Sequence, residues 1–159
     1  MVTKASQIES FDLVLGLIAK QGKVISIHSR EAEEAVLQRL KLGRIETAVF
    51  HWFSGLESTL IQVIDTGHYL SVNGAMLASK RMRPLIARLP KSCLLLETDG
   101  PYTKTGSTPA RPAHLRRVMA DLATLWNCSS GDVEYELTMN FRTLLSRLEA
   151  DKALKGEST

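Results

Sequence analysis

The sequence predicts an α/β fold, a parallel-stranded half of a TIM-like (β/α)8 barrel with about four βα units and flanking helices. Three observations lead there. Short apolar, β-branched runs begin at Val24, Thr47, His68 and Cys93, spaced 23, 21 and 25 residues apart, close to one βα unit with short loops. A helix-patterned segment follows each run, and strands joined through helices lie parallel with right-handed crossovers. Three of the runs end on a metal-capable group, His28, His51 and Asp99, at the strand ends where such barrels keep their chemistry.

The first helix is predicted over Gln7–Lys20, with Ile8, Phe11, Leu15 and Ile18 at helical spacing and Gly22 as its breaker. Val24–His28 is the first strand, and the next helix opens with Glu31, Glu33 and Glu34, which complement a helix N-terminus. Thr47–Phe53 is the second strand. Ser54-Gly55-Leu56-Glu57 then matches a capping box, and Leu60, Ile61, Val63 and Ile64 form a buried stripe that ends at Gly67. His68–Asn73 is the third strand, followed by a short helix bearing Leu85, Ile86 and Leu89 and closed by Pro90; Cys93–Asp99 is the fourth. Gly100-Pro101 opens a loop rich in Thr, Gly, Ser and Pro that reaches Pro112 and reads as a rim loop over the site. Pro112 starts a helix whose stripe is Leu115, Val118, Met119, Leu122, Leu125 and Trp126. Phe141, Leu144, Leu145 and Leu148 define the last helix, so one domain is expected over 1–150 and a frayed tail over 151–159.

A chain of 159 residues, 44% hydrophobic, fills one core but falls short of the ~250 residues of a complete eight-stranded barrel. Cys93 and Cys128 form no close pair, which argues against a zinc ribbon or disulfide framework and suits a reducing cytoplasm. No signal-peptide-like run opens the chain, and no stretch approaches the ~18 apolar residues of a membrane span, so a cytoplasmic protein without membrane association is expected. Net charge is +3, unevenly spread: Lys80, Arg81, Arg83, Arg88, Lys91, Lys104, Arg111, Arg116 and Arg117 stand against Glu97 and Asp99 in that segment. A phosphate-bearing partner is one explanation and a solvated face the other.

Strand side chains alternate, so Val24, Ser26 and His28 are expected to face the barrel axis while Ile25 and Ile27 face the helices. The same period puts Val49, His51 and Phe53 on one face of the second strand, and Glu97 and Asp99 on one face of the fourth. Trp52 is then expected to point outward for packing, and His68 and His114 to be surface residues. Two imidazoles and a carboxylate from three strands make a donor set for Zn²⁺ or a similar divalent ion, whose bound water Asp99 can deprotonate while also ligating. Glu97 would orient a histidine from behind. Ser26, Ser71 and Asn73 are polar and inward, and Arg30 and Ser54 follow the first two strands; these five are the candidates for substrate contact. A lone strand histidine is ordinarily structural, so the weight lies on three such groups at equivalent positions.

Ile27-His28-Ser29-Arg30-Glu31-Ala32, His51-Trp52-Phe53-Ser54-Gly55 and Glu97-Thr98-Asp99-Gly100-Pro101-Tyr102 resemble three signature motifs of the TatD family of metal-dependent deoxyribonucleases, and Asn140-Phe141 resembles that family's closing asparagine motif. The second-motif tryptophan, Val72-Asn73-Gly74-Ala75-Met76 and the Thr98–Pro101 wording are most similar to the branch associated with Qat-type antiphage systems. The resemblance implies a TIM-like barrel, one or two divalent ions (Zn, Mg or Mn) and hydrolysis of DNA phosphodiester bonds, often from an end. It also implies that His28 and His51 are metal ligands, Asp99 a ligand and general base, and Glu97 a site-adjacent carboxylate. Two elements of the family pattern, a His-x-His pair on the first strand and a glutamate ligand on a later one, have no counterpart here. The segment corresponds to the last four strands, so a truncated DNase lacking its first-half ligands is expected, with two unpaired sheet edges that a partner half-barrel or a second copy would close. Two alternatives are an ester or amide hydrolase using the same metal chemistry, and a catalytically silent half-barrel serving as a binding or assembly module.

Overall fold

Four short strands pair in sequence order into one parallel sheet: β1 (Ser26–His28), β2 (Val49–His51), β3 (Tyr69–Val72) and β4 (Leu94–Leu96). The computed structural model describes residues 3–21 and 23–154; Gly22, expected to end the first helix, and residues 155–159 of the expected tail lie outside it. The register sets His28 beside His51, His51 beside Ser71 and Ser71 beside Leu95, so these four share one face. Ile27, Phe50, Leu70 and Leu94 occupy the other. That second face is buried under helices α1 (Lys4–Gln21), α2 (Glu33–Leu42), α3 (Glu57–Asp65), α4 (Gly74–Ala78), α5 (Met82–Arg88) and α6 (Leu115–Trp126), whose Leu15, Leu40, Leu60, Val63, Met76, Ile86 and Leu122 join it in one core. The two-residue period therefore sorts polar and apolar side chains as expected, with Ile25 and Ile27 buried and Ser26 and His28 open to solvent.

The strands are shorter than their apolar runs, and at the end of β2 a positive φ interrupts the run. Trp52, at φ +42°, ends β2 and breaks the alternation, so Phe53 does not share the His51 face but turns into the core, 1% exposed. The capping box expected at Ser54 is absent: α3 begins at Glu57 with Leu56 as its N-cap, the Ser54 hydroxyl donates to the buried Glu33 carboxylate at 2.9 Å, and Glu57 pairs with Arg88. Gly67 does end α3, at φ +88°, with its N–H and that of His68 donating to the Ile64 and Val63 carbonyls.

The last helix, α7 (Ser130–Leu154), starts far ahead of Asn140 and passes position 150. Ser129 and Asp132 form its reciprocal cap, the Ser129 hydroxyl accepting from the Asp132 N–H at 3.1 Å and Asp132 accepting from the Ser129 N–H at 2.9 Å. The helix crosses the N-terminal ends of the strands. Asn140 Nδ2 donates to the carbonyls of Lys91 and Leu94, Arg147 donates to the Gly67 carbonyl and lies over the Tyr69 ring, and Leu144 packs on Val49 and Tyr69. This floor beneath the open face leaves the opposite, C-terminal rim accessible.

His68 is not a surface residue. It is 4% exposed, its Nδ1 accepts from the Ala48 N–H at 3.2 Å, and its ring lies 5.8 Å from that of Phe50. Burial lowers its pKa from 6.5 to about 4. The unfolded chain therefore takes up a proton below pH 6.5 that the folded one refuses until about pH 4, so stability is full above that window and falls as pH drops through it. At ~1.4 kcal/mol per pH unit, the expected loss is about 3 kcal/mol. His68→Asn, which keeps an acceptor near the Ala48 N–H, should flatten this part of the urea-unfolding pH profile; an unchanged profile would assign the acid sensitivity elsewhere.

Candidate metal centre at the strand ends

Parallel pairing brings the C-terminal ends of all four strands to one rim. His28 and His51 are register partners on adjacent strands, and their rings lie 5.0 Å apart between centroids, tilted by 42°. Ser26 Oγ lies 3.3 Å from His51 Nδ1, which orients that ring and leaves its Nε2 unengaged. The His28 side chain has no hydrogen-bond partner among the described residues. The Trp52 ring, expected to point away, packs edge-on against His28 at 6.1 Å because the positive φ of Trp52 turns it back over the strand end.

Glu97 extends the sheet beyond β4, its N–H donating to the Val72 carbonyl at 3.0 Å. Its Oε1 accepts from the Trp52 backbone N–H and from Asn73 Nδ2, each at 3.1 Å, and Ser71 hydrogen-bonds it too. One carboxylate thus ties together the ends of β2, β3 and β4. Burial raises its pKa above the ordinary carboxylate value, opposed by the Ser71 and Asn73 hydrogen bonds and by the charge of His51, while Asp99 adds to the rise. Asp99 itself sits at φ +50° just past Glu97, its carbonyl accepting from the Thr103 N–H at 3.1 Å. Side chains of non-glycine residues enter this conformation at a cost that functional sites commonly carry.

The candidates for substrate contact divide differently. Ser26 faces the imidazole pair; Ser71 and Asn73 are buried, and Asn73 uses its amide twice, on Glu97 and on the Met76 N–H of α4. Ser54 serves Glu33, and Arg30 lies on the outer wall among residues of α1 and α2. Asn73 and Ser71 therefore position Glu97, and of the five only Ser26 stands open beside the histidines.

The expectation that His28, His51 and Asp99 surround a common point is not met within this chain: among the described residues no three His, Cys, Asp or Glu side chains come together closely enough to hold one ion. His28 ends β1 at one margin of the sheet, and Asp99 lies three residues beyond β4 at the other. The imidazole pair would supply two coordination positions of a borderline divalent ion, and Glu97, bonded to the Trp52 N–H, stands close enough for the charge of His51 to act on it.

These positions can be set against known proteins. A model of the TatD-related DNase family matches residues 2–146. A 3'-5' ssDNA/RNA exonuclease TatD from Klebsiella pneumoniae (strain 342) is 30% identical over 154 residues, covering 89% of this chain and 59% of that protein. An uncharacterized metal-dependent hydrolase from Buchnera aphidicola is 29% identical over 151 residues, covering 91% of this chain and 57% of that one. The crystal structure of the TatD homologue YJJV from Escherichia coli K12 superposes with a TM-score of 0.76 at 27% identity, covering 91% of this chain and 60% of that chain. The chain thus spans about three fifths of the length of these relatives. With the family model spanning nearly its whole length and the fold shared, the chain belongs to the TatD-related DNase family.

Proposed function

We propose that this chain supplies His28, His51 and Asp99 to a divalent-metal centre that hydrolyses phosphodiester bonds in DNA, with the remaining ligands coming from a further half-barrel. The observation that carries this is the His28–His51 pair, two imidazoles on adjacent strand ends with open ring nitrogens. A divalent ion bound there would acidify its water and polarise a phosphoryl oxygen. The chain's own contacts support this reading: Ser26 meets His51, Glu97 bonds across the strand ends, and Asp99 is the carboxylate assigned as ligand and general base. The exonuclease name of the Klebsiella relative supports a nucleic-acid substrate, and the Buchnera relative's name supports a metal.

A silent assembly module is favoured by a different observation: β1 and β4 are free edges among the described residues, and Leu13 and Leu17 on α1, Val24 ahead of β1, and Phe141 and Leu145 on α7 are exposed. One calorimetric titration separates the readings. Mn²⁺ or Zn²⁺ should bind the chain measurably and the His28→Ala/His51→Ala variant at least about tenfold more weakly. Equal binding by both would remove the catalytic reading. Metal-dependent cleavage of an acyl ester but not of single-stranded DNA would move the substrate to an ester or amide.

A further inference from the structure

The basic segment from Lys80 to Arg117 does not act as one face. Arg81 is spent on the Ser54 and Gly55 carbonyls, Arg83 on the Leu77 carbonyl, Arg88 on Glu57, and Lys91 stands over the Trp126 ring at 4.9 Å. Lys104, Arg116 and Arg117, in contrast, are exposed, and their side chains carry no hydrogen-bond or ion-pair partner among the described residues. Lys104 and Arg117 come together beside the strand-end rim. Lys104 belongs to the hairpin β5 (Lys104–Thr105) and β6 (Thr108–Pro109) that follows Asp99, and Arg116 and Arg117 lie in the first turn of α6, which returns from that rim.

Lys104 and Arg117 share the wall of a cavity of about 200 Å³ with His114, Thr98, Thr103 and one opposing carboxylate, Asp121. Thr98 is the residue between Glu97 and Asp99, so the cavity backs directly onto the acid-bearing strand end. Its size suits a phosphate with part of a sugar rather than a drug-sized ligand. Two residues before Lys104, Tyr102 is 82% exposed on the same loop, next in sequence to Thr103 of the cavity wall. Positive charge tracking a backbone beside an exposed aromatic face is the combination that binds single strands without reading their sequence.

We propose that Tyr102, Lys104 and Arg117 form a strand-guiding subsite: Lys104 and Arg117 hold a phosphate of single-stranded nucleic acid, and Tyr102 stacks on a neighbouring base. The proposal rests on the nucleic-acid reading above and goes beyond it by placing the strand's path on the β4 side of the rim, away from the histidines. Because the subsite lies outside the metal donors, it binds without metal.

The test measures fluorescence anisotropy of a labelled oligothymidylate of roughly 12 nucleotides, within the usual single-strand site size, in EDTA and across about 50–200 mM salt. Lys104→Ala/Arg117→Ala is expected to weaken binding about tenfold or more at low salt and to make the salt slope shallower by about 0.7, the share of the one single-strand phosphate the pair neutralises. Tyr102→Ala is expected to weaken binding about tenfold with the slope unchanged, and Tyr102→Phe to restore it. Lys41→Ala/Arg44→Ala, on the opposite rim, should bind like the parent. If the parent chain binds no oligonucleotide at any salt, the nucleic-acid reading falls and the subsite with it. If the parent binds and the Lys104/Arg117 and Tyr102 variants match it, the subsite alone is overturned.

Discussion

Asn140→Asp is expected to cost about 2–5 kcal/mol of folding stability, a large share of the ~5–15 kcal/mol that holds a domain of this kind together. Asn140 is 4% exposed, and one amide nitrogen serves two backbone carbonyls, Lys91 and Leu94, each at 2.8 Å. Those carbonyls open β4, so the contact pins α7 across the base of the sheet. Aspartate keeps the shape and removes both donors, leaving two buried acceptors facing a third, where each unsatisfied group costs ~1–3 kcal/mol. Asn140→Ala orphans the same carbonyls without adding charge and should cost less. The sign of the pH response discriminates further. An aspartate facing two carbonyls has its folded pKa raised above its unfolded value, so the penalty is full above the folded pKa and shrinks as pH falls through it, when the carboxyl regains one O–H donor. Urea unfolding of the three proteins at neutral and mildly acid pH reads both effects. An Asn140→Asp variant within about 0.5 kcal/mol of the parent would show that α7 is held by Leu144 and Arg147 instead.

The faces of the sheet were legible because a two-residue period leaves no freedom: once Ile25 and Ile27 enter the core, His28 cannot. The parallel order was legible for a similar reason, since helices between strands forbid antiparallel pairing. What escaped was the geometry at the strand ends. Trp52 and Asp99 adopt positive φ without being glycine or asparagine, and nothing in a tryptophan announces that conformation. Phe53 and the Trp52 ring therefore exchanged roles relative to simple alternation. The start of α7 was missed because its buried positions are Val133, Asn140 and Leu144: one anchor of three is polar, and the apolar stripe is too sparse to reveal the helix. Position along the strands nominates the three candidate metal ligands, yet closeness depends on how far the sheet curves. That is a property of a closed barrel, and four strands leave His28 and Asp99 at its two margins.

Gly100→Ala is expected to release the rim loop while leaving the core folded. A Cβ at position 100 would stand 2.0 Å from the Ala110 carbonyl oxygen and 2.6 Å from its carbon, both backbone atoms. The 109–111 segment would have to retreat by about 1 Å to restore an ordinary C···O separation of ~3.3 Å. It has little freedom to do so: the Ala110 N–H donates to the Thr103 carbonyl at 2.9 Å, the Thr103 N–H to the Asp99 carbonyl at 3.1 Å, and the Thr103 hydroxyl to the Thr98 carbonyl. Relief therefore comes from breaking this ladder, at about 3 kcal/mol, and the hairpin separates from the end of β4. Because Leu70, Leu94 and Leu122 are untouched, the thermal midpoint should move less than local protection does. Trypsin should cut after Lys104 at least about tenfold faster under native conditions, reporting the local opening rather than global unfolding. The same opening carries Tyr102 and Lys104 away from Arg117, so oligonucleotide affinity should fall with protease resistance. A Gly100→Ala chain as resistant and as tightly binding as its parent would mean that the loop yields without cost; the rim would then be held by contacts other than the one between Gly100 and Ala110.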